Sequence, residues 1–156
     1  MARRLRPVEL DFVETAPLRL VFAADAAAPA DALYRALAVE TEAWPRWFSA
    51  VSHARATEGG REVRLRGGTR FEETVMAAEP GARYAYRVDV TNAPGLHALL
   101  EEWRLTPAGR GTRVQWTFAA SAGAPLRFAL RLGRPGFGRA FRDAVRTLDR
   151  RLAAAS

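Results

Sequence analysis

Two glutamates carry the sharpest chemistry in this 156-residue sequence. Glu73, in RFEETV, and Glu101, in LLEEWRL, lie in stretches where apolar residues alternate with polar ones, and their parity puts both on the apolar side of a sheet. Tyr86, in YAYRV, is read directly across from Glu101. An ionised carboxylate buried without a partner is costly, so such groups are paired, hydrogen-bonded, solvated in a cavity, or held neutral by a raised pKa. A neutral or half-neutral glutamate beside a tyrosine can, as the acid, give a proton to a carbonyl or, as the carboxylate, take one from an activated carbon. The plainer alternative is that each glutamate accepts a hydrogen bond from Tyr84, Tyr86 or a tryptophan indole, or orients the polar end of a ligand. His97 follows the Asn92-Ala93-Pro94-Gly95 turn on the same inner parity and is expected at the rim, whereas His53 is expected to point outward.

Other chemistries are excluded or unsupported by residue type. There is no cysteine, which rules out disulfides and thiolate ligands or nucleophiles, and two histidines leave little for a metal site. No Ser/His/Asp grouping or phosphate-cradling glycine loop can be assembled, and neither a metal nor a cofactor is expected. The glycines at 109–111 and 133–138 fit turns instead. The formal net charge of +7 rests on arginine alone, since the sequence has no lysine. A basic patch can attract nucleic acid or anionic membrane, whereas a solvated helix face attracts nothing in particular. No apolar run approaches the ~20 residues that span a bilayer, and MARRLRPVELDF has no hydrophobic signal core, so a cytoplasmic protein without stable membrane insertion is the default expectation.

The elements that must position the glutamates follow from the turns. PLRLVFAAD (17–25) alternates as a strand, and PADALYRALAV opens a helix on Pro29 with Leu33, Tyr34 and Leu37 on one face. From about Val51 to Ala120 the chain reads as strands. A turn at Glu79-Pro80-Gly81-Ala82 sets Tyr84 opposite Ala77, Tyr86 opposite Val75 and Val88 opposite Glu73. The next two turns pair Tyr86 with Glu101, Tyr84 with Trp103, Trp103 with Trp116 and Glu101 with Phe118. One face then collects Phe71, Tyr84, Tyr86, Trp103, Val114, Trp116 and Phe118, and the other Arg83, Arg87, Asp89, Arg104, Arg113 and Gln115. Around Glu58-Gly59-Gly60-Arg61 the same alternation puts Ala54, Ala56, Val63 and Leu65 inside and His53, Arg55, Arg64 and Arg66 outside.

Two further segments complete the frame. EAWPRWF (42–48) places three aromatics around Pro45, which a helix interior does not tolerate, so Trp44, Trp47 and Phe48 are expected where a short helix ends. They could be plain core or the wall of a cavity. After an interruption at 133–136, Phe137, Phe141, Val145, Leu148 and Leu152 recur at helical spacing, with Arg139, Arg142, Arg146 and Arg150 on the opposite stripe. Such a helix needs an apolar surface, and the inner face of the sheet is the large one available. The arginine stripe then faces solvent.

The order of APADALYRAL, EAWPRWF, GTRFEETV, EPGARYAYRV and EEWRLTPAGRGTRVQWTF resembles the START/polyketide cyclase-dehydrase (SRPBCC) superfamily over roughly Leu18 to Leu152. The resemblance implies an α+β helix-grip fold: a strongly bent antiparallel sheet of about six or seven strands wrapped around the long C-terminal helix, with two short helices after the first strand. Residues 1–16 would be an N-terminal extension and 17–156 one domain. It also implies a ligand cavity between sheet and helix, lined by Trp47, Phe48, Phe71, Glu73, Tyr84, Tyr86, His97, Glu101, Trp103, Trp116, Phe118, Phe137 and Phe141. The internal arginine that some of these cyclases use has no counterpart on the inner parity as read here.

The implied function is binding of a hydrophobic small molecule, lipid-like or polyketide-like. A second reading is a cyclase or dehydratase with Glu73, Glu101 and Tyr86 as acid, base and orienting groups. A third is an arginine-rich surface for membrane or nucleic acid, although no nucleic-acid partner is expected. No pattern in the sequence speaks to oligomeric state.

Overall fold

The computed structural model describes all residues 1–156. One antiparallel sheet holds strands in the order β2-β8-β7-β6-β5-β4-β3: β2 (Leu18–Ala26), β3 (Val51–Thr57), β4 (Gly60–Leu65), β5 (Arg70–Glu79), β6 (Arg83–Thr91), β7 (Leu96–Ala108) and β8 (Gly111–Ala122). An eighth strand, the dipeptide β1 (Arg3–Arg4), pairs with the end of β6 at Thr91 and Val90. Between β2 and β3 come α2 (Ala30–Tyr34), a π-helical turn (Arg35–Val39) and a 3₁₀ helix (Thr41–Arg46). After the sheet, α3 (Ala124–Leu132) and α4 (Arg134–Ala155) are separated by Gly133 alone.

This is the expected α+β helix-grip architecture, in which α4 lies against the sheet. Phe141, Ala144, Val145 and Leu148 are buried along its inner stripe, while Arg139, Arg142, Arg146 and Arg150 are exposed. Asp149 fixes the far end of α4 by accepting hydrogen bonds from the Ala27 and Ala28 amides at 2.8 and 2.9 Å. The helix begins at Arg134, so Pro135 falls in its first turn, where its missing N–H breaks no intrahelical bond. Pro45 sits in the last turn of the 3₁₀ helix rather than beyond it.

The three central turns have the predicted register, with two local corrections. Tyr86 pairs with Val75 and Glu101, Val88 with Glu73, Tyr84 with Trp103, Trp103 with Trp116, and Glu101 with Phe118. Tyr84, however, faces Ala78 and not Ala77, because a bulge between Val75 and Ala77 adds a residue to β5. A second bulge lies between Leu96 and Ala98, and it turns His97 out to solvent instead of onto the inner face. Ala56, expected inside near the end of β3, is exposed.

The outer face is not uniformly solvated. Val8, Phe12 and Val13, the latter two in α1 (Phe12–Thr15), bury Ala98, Leu100 and Ala119 in a small second core. The first residues thus close a gap at the end of β6: Leu5 donates its amide to Asp89 and Arg6 donates to His97, so the segment bridges β6 and β7 where they part.

Candidate functional site

An apolar cavity of ≈220 Å³ lies between the sheet, the 3₁₀ helix, α3 and the start of α4. Sixteen of its nineteen lining residues are hydrophobic. The three that are not, Arg61, Glu73 and Glu101, stand on β4, β5 and β7, on either side of Tyr86 on β6. The half-buried lining residues are Ala50, Leu65, Ala93, Leu126, Leu130 and Phe137, so the cavity opens between the sheet rim and α3.

The sequence-derived residues divide into wall and backing. Phe48, Phe71, Glu73, Tyr86, Glu101, Trp116, Phe118 and Phe137 line the cavity. Trp47, Tyr84, Trp103 and Phe141 are buried but lie outside the lining, and His97 is exposed outside it. Trp103 stacks on Trp116 at 5.6 Å and Trp116 on Phe141 at 5.9 Å, so the second row fixes the orientation of the first. In EAWPRWF, Trp44 and Phe48 face the cavity whereas Trp47 packs behind them.

The largest correction concerns Arg61. It is an internal arginine, with 2% of its side chain accessible, and it directly faces Glu73 across β4 and β5. The signal was available: once Val63 and Leu65 point inward, period-two alternation turns Arg61 inward as well. Gly60 makes this close pairing possible, because a Cβ there would lie 1.8 Å from the Glu73 carbonyl oxygen. The Arg61 Nε donates to Glu73 Oε1, and the guanidinium is held between the Trp44 ring at 4.2 Å and the Tyr86 ring at 4.0 Å. Its Nη1 is buried without a hydrogen-bond partner.

Beside this ion pair runs a second hydrogen-bonded group. Tyr86 Oη donates to Glu101 Oε1 at 2.9 Å, Trp116 Nε1 donates to the same oxygen at 2.9 Å, and Trp103 Nε1 donates to Tyr86 Oη at 3.2 Å. Glu101 Oε2 receives no hydrogen bond from the protein.

Burial dominates the protonation of all these groups. It pushes the Glu73 carboxyl up to about 7, with Arg61 opposing the rise and Glu101 adding to it. Glu101 is raised by burial against the pull of Arg61 and its own hydrogen bonds. Tyr86 is pushed well up by burial and then by Glu101. Burial works against the Arg61 charge, but Glu73, Tyr86 and Tyr84 together more than restore it, so the guanidinium stays protonated.

With two donors on Oε1, the hydroxyl of a neutral Glu101 belongs on Oε2. The cavity wall therefore carries two carboxyl oxygens that receive no hydrogen bond from the protein, Oε2 of Glu101 and Oε2 of Glu73, while Glu73 Oε1 is held by Arg61 and the Tyr86 proton by Glu101. Such an oxygen donates to a ligand carbonyl when its carboxyl is protonated and accepts from a ligand hydroxyl when it is ionised.

An uncharacterized protein of Mycobacterium tuberculosis, Rv2574, is 33% identical over 150 residues, covering 92% of this chain and 89% of its own length. A START superfamily protein from Mycobacterium smegmatis superposes with a TM-score of 0.67 at 12% identity, covering 88% of this chain and 99% of that one. A conserved protein from Geobacillus kaustophilus reaches a TM-score of 0.71 at 14% identity, over 88% and 97% of the two chains. At such identities these structures show a shared fold. Residues 18–153 match the family model described as polyketide cyclase / dehydrase and lipid transport, and the chain belongs to that family.

Proposed function

We propose that this protein binds one hydrophobic small molecule, lipid-like or polyketide-like, in the cavity under α3, with a carbonyl or similar acceptor on the molecule meeting Glu101. The observation that carries this is the ≈220 Å³ apolar cavity with the unoccupied Oε2 of Glu101 on its wall. An apolar cavity of roughly 150 Å³ holds a benzene, so this one suits a ligand on the order of ten non-hydrogen atoms. A longer molecule would extend past Leu126 and Leu130 at the mouth. Binding of this kind is consistent with the family's lipid-transport members and with a cytoplasmic carrier.

Native mass spectrometry of protein purified without detergent, followed by titration with the fluorescent probe 1-naphthol, which is of the cavity's size and carries a hydroxyl for Glu101, tests the proposal. A retained apolar mass, or saturable uptake of one probe per chain that Leu130→Trp at the mouth abolishes, is the expected result. An empty protein that shows no saturable uptake overturns it.

A second reading, catalysis of a cyclisation or dehydration, is favoured by the burial that raises the Glu101 carboxyl at the cavity wall. Glu101 Oε2 would supply the proton, Tyr86 would orient the acid, and Glu73 would act through Arg61 rather than on the substrate. Glu101→Gln keeps the acceptor for Tyr86 and Trp116 but removes the acid. Retained ligand uptake with lost turnover identifies the enzyme, and unchanged turnover excludes it.

A further inference from the structure

We propose that the outer face of α3 docks the protein on membranes rich in anionic lipid, with the cavity mouth turned toward the bilayer. Phe128 and Leu132 are 64% and 66% exposed, and they are two of the four large apolar side chains left on the surface. Spaced four residues apart, they share one face of α3, while Leu126 and Leu130 line the cavity from the other. A helix with apolar residues on both sides and no buried residue lacks a partner on its outer one.

The charge around that face says what the partner is. No aspartate or glutamate occurs between Glu102 and Asp143, whereas Arg127, Arg131, Arg134, Arg139 and Arg142 all fall in that interval. None of these five makes a salt bridge within the protein; Arg127 donates to the Ala122 carbonyl, and Arg134 donates to the Val21 carbonyl with its guanidinium over the Phe22 ring, so the pair on α3 itself, Arg127 and Arg131, flanks Phe128 and Leu132 most directly. Exposed Phe and Leu flanked by unpaired arginines match the interface of a bilayer carrying negative headgroups, where the rings enter the acyl boundary and the guanidinium groups remain among phosphates. A nucleic acid would use the arginines and leave Phe128 and Leu132 in water.

The test is co-sedimentation with vesicles of phosphatidylcholine alone or with added phosphatidylglycerol, for the wild type and Phe128→Ser/Leu132→Ser. Both substituted positions are exposed, so the fold is retained, and circular dichroism checks it. The wild type is expected to pellet with the anionic vesicles and far less with the neutral ones, and the variant to lose about tenfold in partitioning. No ligand is needed, so the result is independent of what the cavity holds. Equal binding by wild type and variant would leave only the net charge at work and overturn the proposal. So would failure of the wild type to bind anionic vesicles, or a lipid-free dimer that the double variant dissolves, which would identify a second copy as the occupant.

Discussion

Glu73 should make the protein less stable as the pH rises from acid to neutral, although it is ion-paired. In the unfolded chain its carboxyl titrates near 4.5, and in the folded chain near 7. Between these values the folded state binds a proton that the unfolded state does not, so its contribution is fully present below 4.5 and is lost as the pH passes through about 7. At about 1.4 kcal/mol per pH unit, the span amounts to ~3 kcal/mol, most of it between pH 8 and pH 5. Glu73→Gln cannot titrate, and it leaves Arg61 as an unpaired buried cation at every pH, a cost of about 3–5 kcal/mol that does not vary across the window. Urea denaturation of both proteins at pH 8 and pH 5 isolates Glu73 together with its coupling to Glu101, because groups remote from the pair cancel in the difference. The stability of wild type minus that of Glu73→Gln should grow by about 2–3 kcal/mol on acidification. A difference that stays flat or shrinks would mean that Arg61 holds Glu73 ionised throughout and that the balance between burial and pairing argued above is wrong.

Phe141 is fully buried against Phe22, Trp103 and Trp116, so Phe141→Ala should cost about 3–5 kcal/mol in denaturant unfolding and loosen the wall formed by Trp116. Asp149→Ala removes the acceptor for two amides at the entry to α2; a loss of about 1–2 kcal/mol is expected by the same measurement, with faster amide exchange at Ala27 and Ala28.

The architecture and much of the cavity wall were legible because period-two alternation and the turns around Gly81, Gly95 and Gly109 leave little freedom in how β5 to β8 pair. Positive φ at these three glycines marks where the chain reverses. What escaped was set by departures from that period. The bulge between Leu96 and Ala98 has no sequence mark, and it moved His97 from the rim to solvent. Arg61 is legible by parity with Val63 and Leu65, but the alternation reading assigns it to neither face because most strand arginines fall on the outer one. The choice of Phe48 and Trp44 for the wall and Trp47 for the backing depends on how a 3₁₀ helix carrying Pro45 is rotated, which no alternation pattern encodes.

The ion pair and Glu101 make sense as one electrostatic unit. An Arg–Glu pair taken out of water is seldom worth more to stability than apolar residues of similar volume, and here the guanidinium leaves Nη1 buried and unpartnered. Its effect on its neighbours is more specific. Arg61 lies between Trp44 and Tyr86, and its charge opposes the rise of both Glu73 and Glu101. With Glu73 ionised the pair is formally neutral, and Glu101 is then left with its burial and the hydrogen bonds of Tyr86 and Trp116 to set its proton. With Glu73 protonated, Arg61 presents an uncompensated charge to the cavity and draws Glu101 toward ionisation. The two carboxyls are thus coupled through Arg61, and a polar ligand group at Oε2 of Glu101 meets the charge of the whole unit rather than of one glutamate. A purely apolar cavity would bind as well without any of these groups, and their placement around the only unoccupied carboxyl oxygen of Glu101 is the reason to expect a ligand with one polar end.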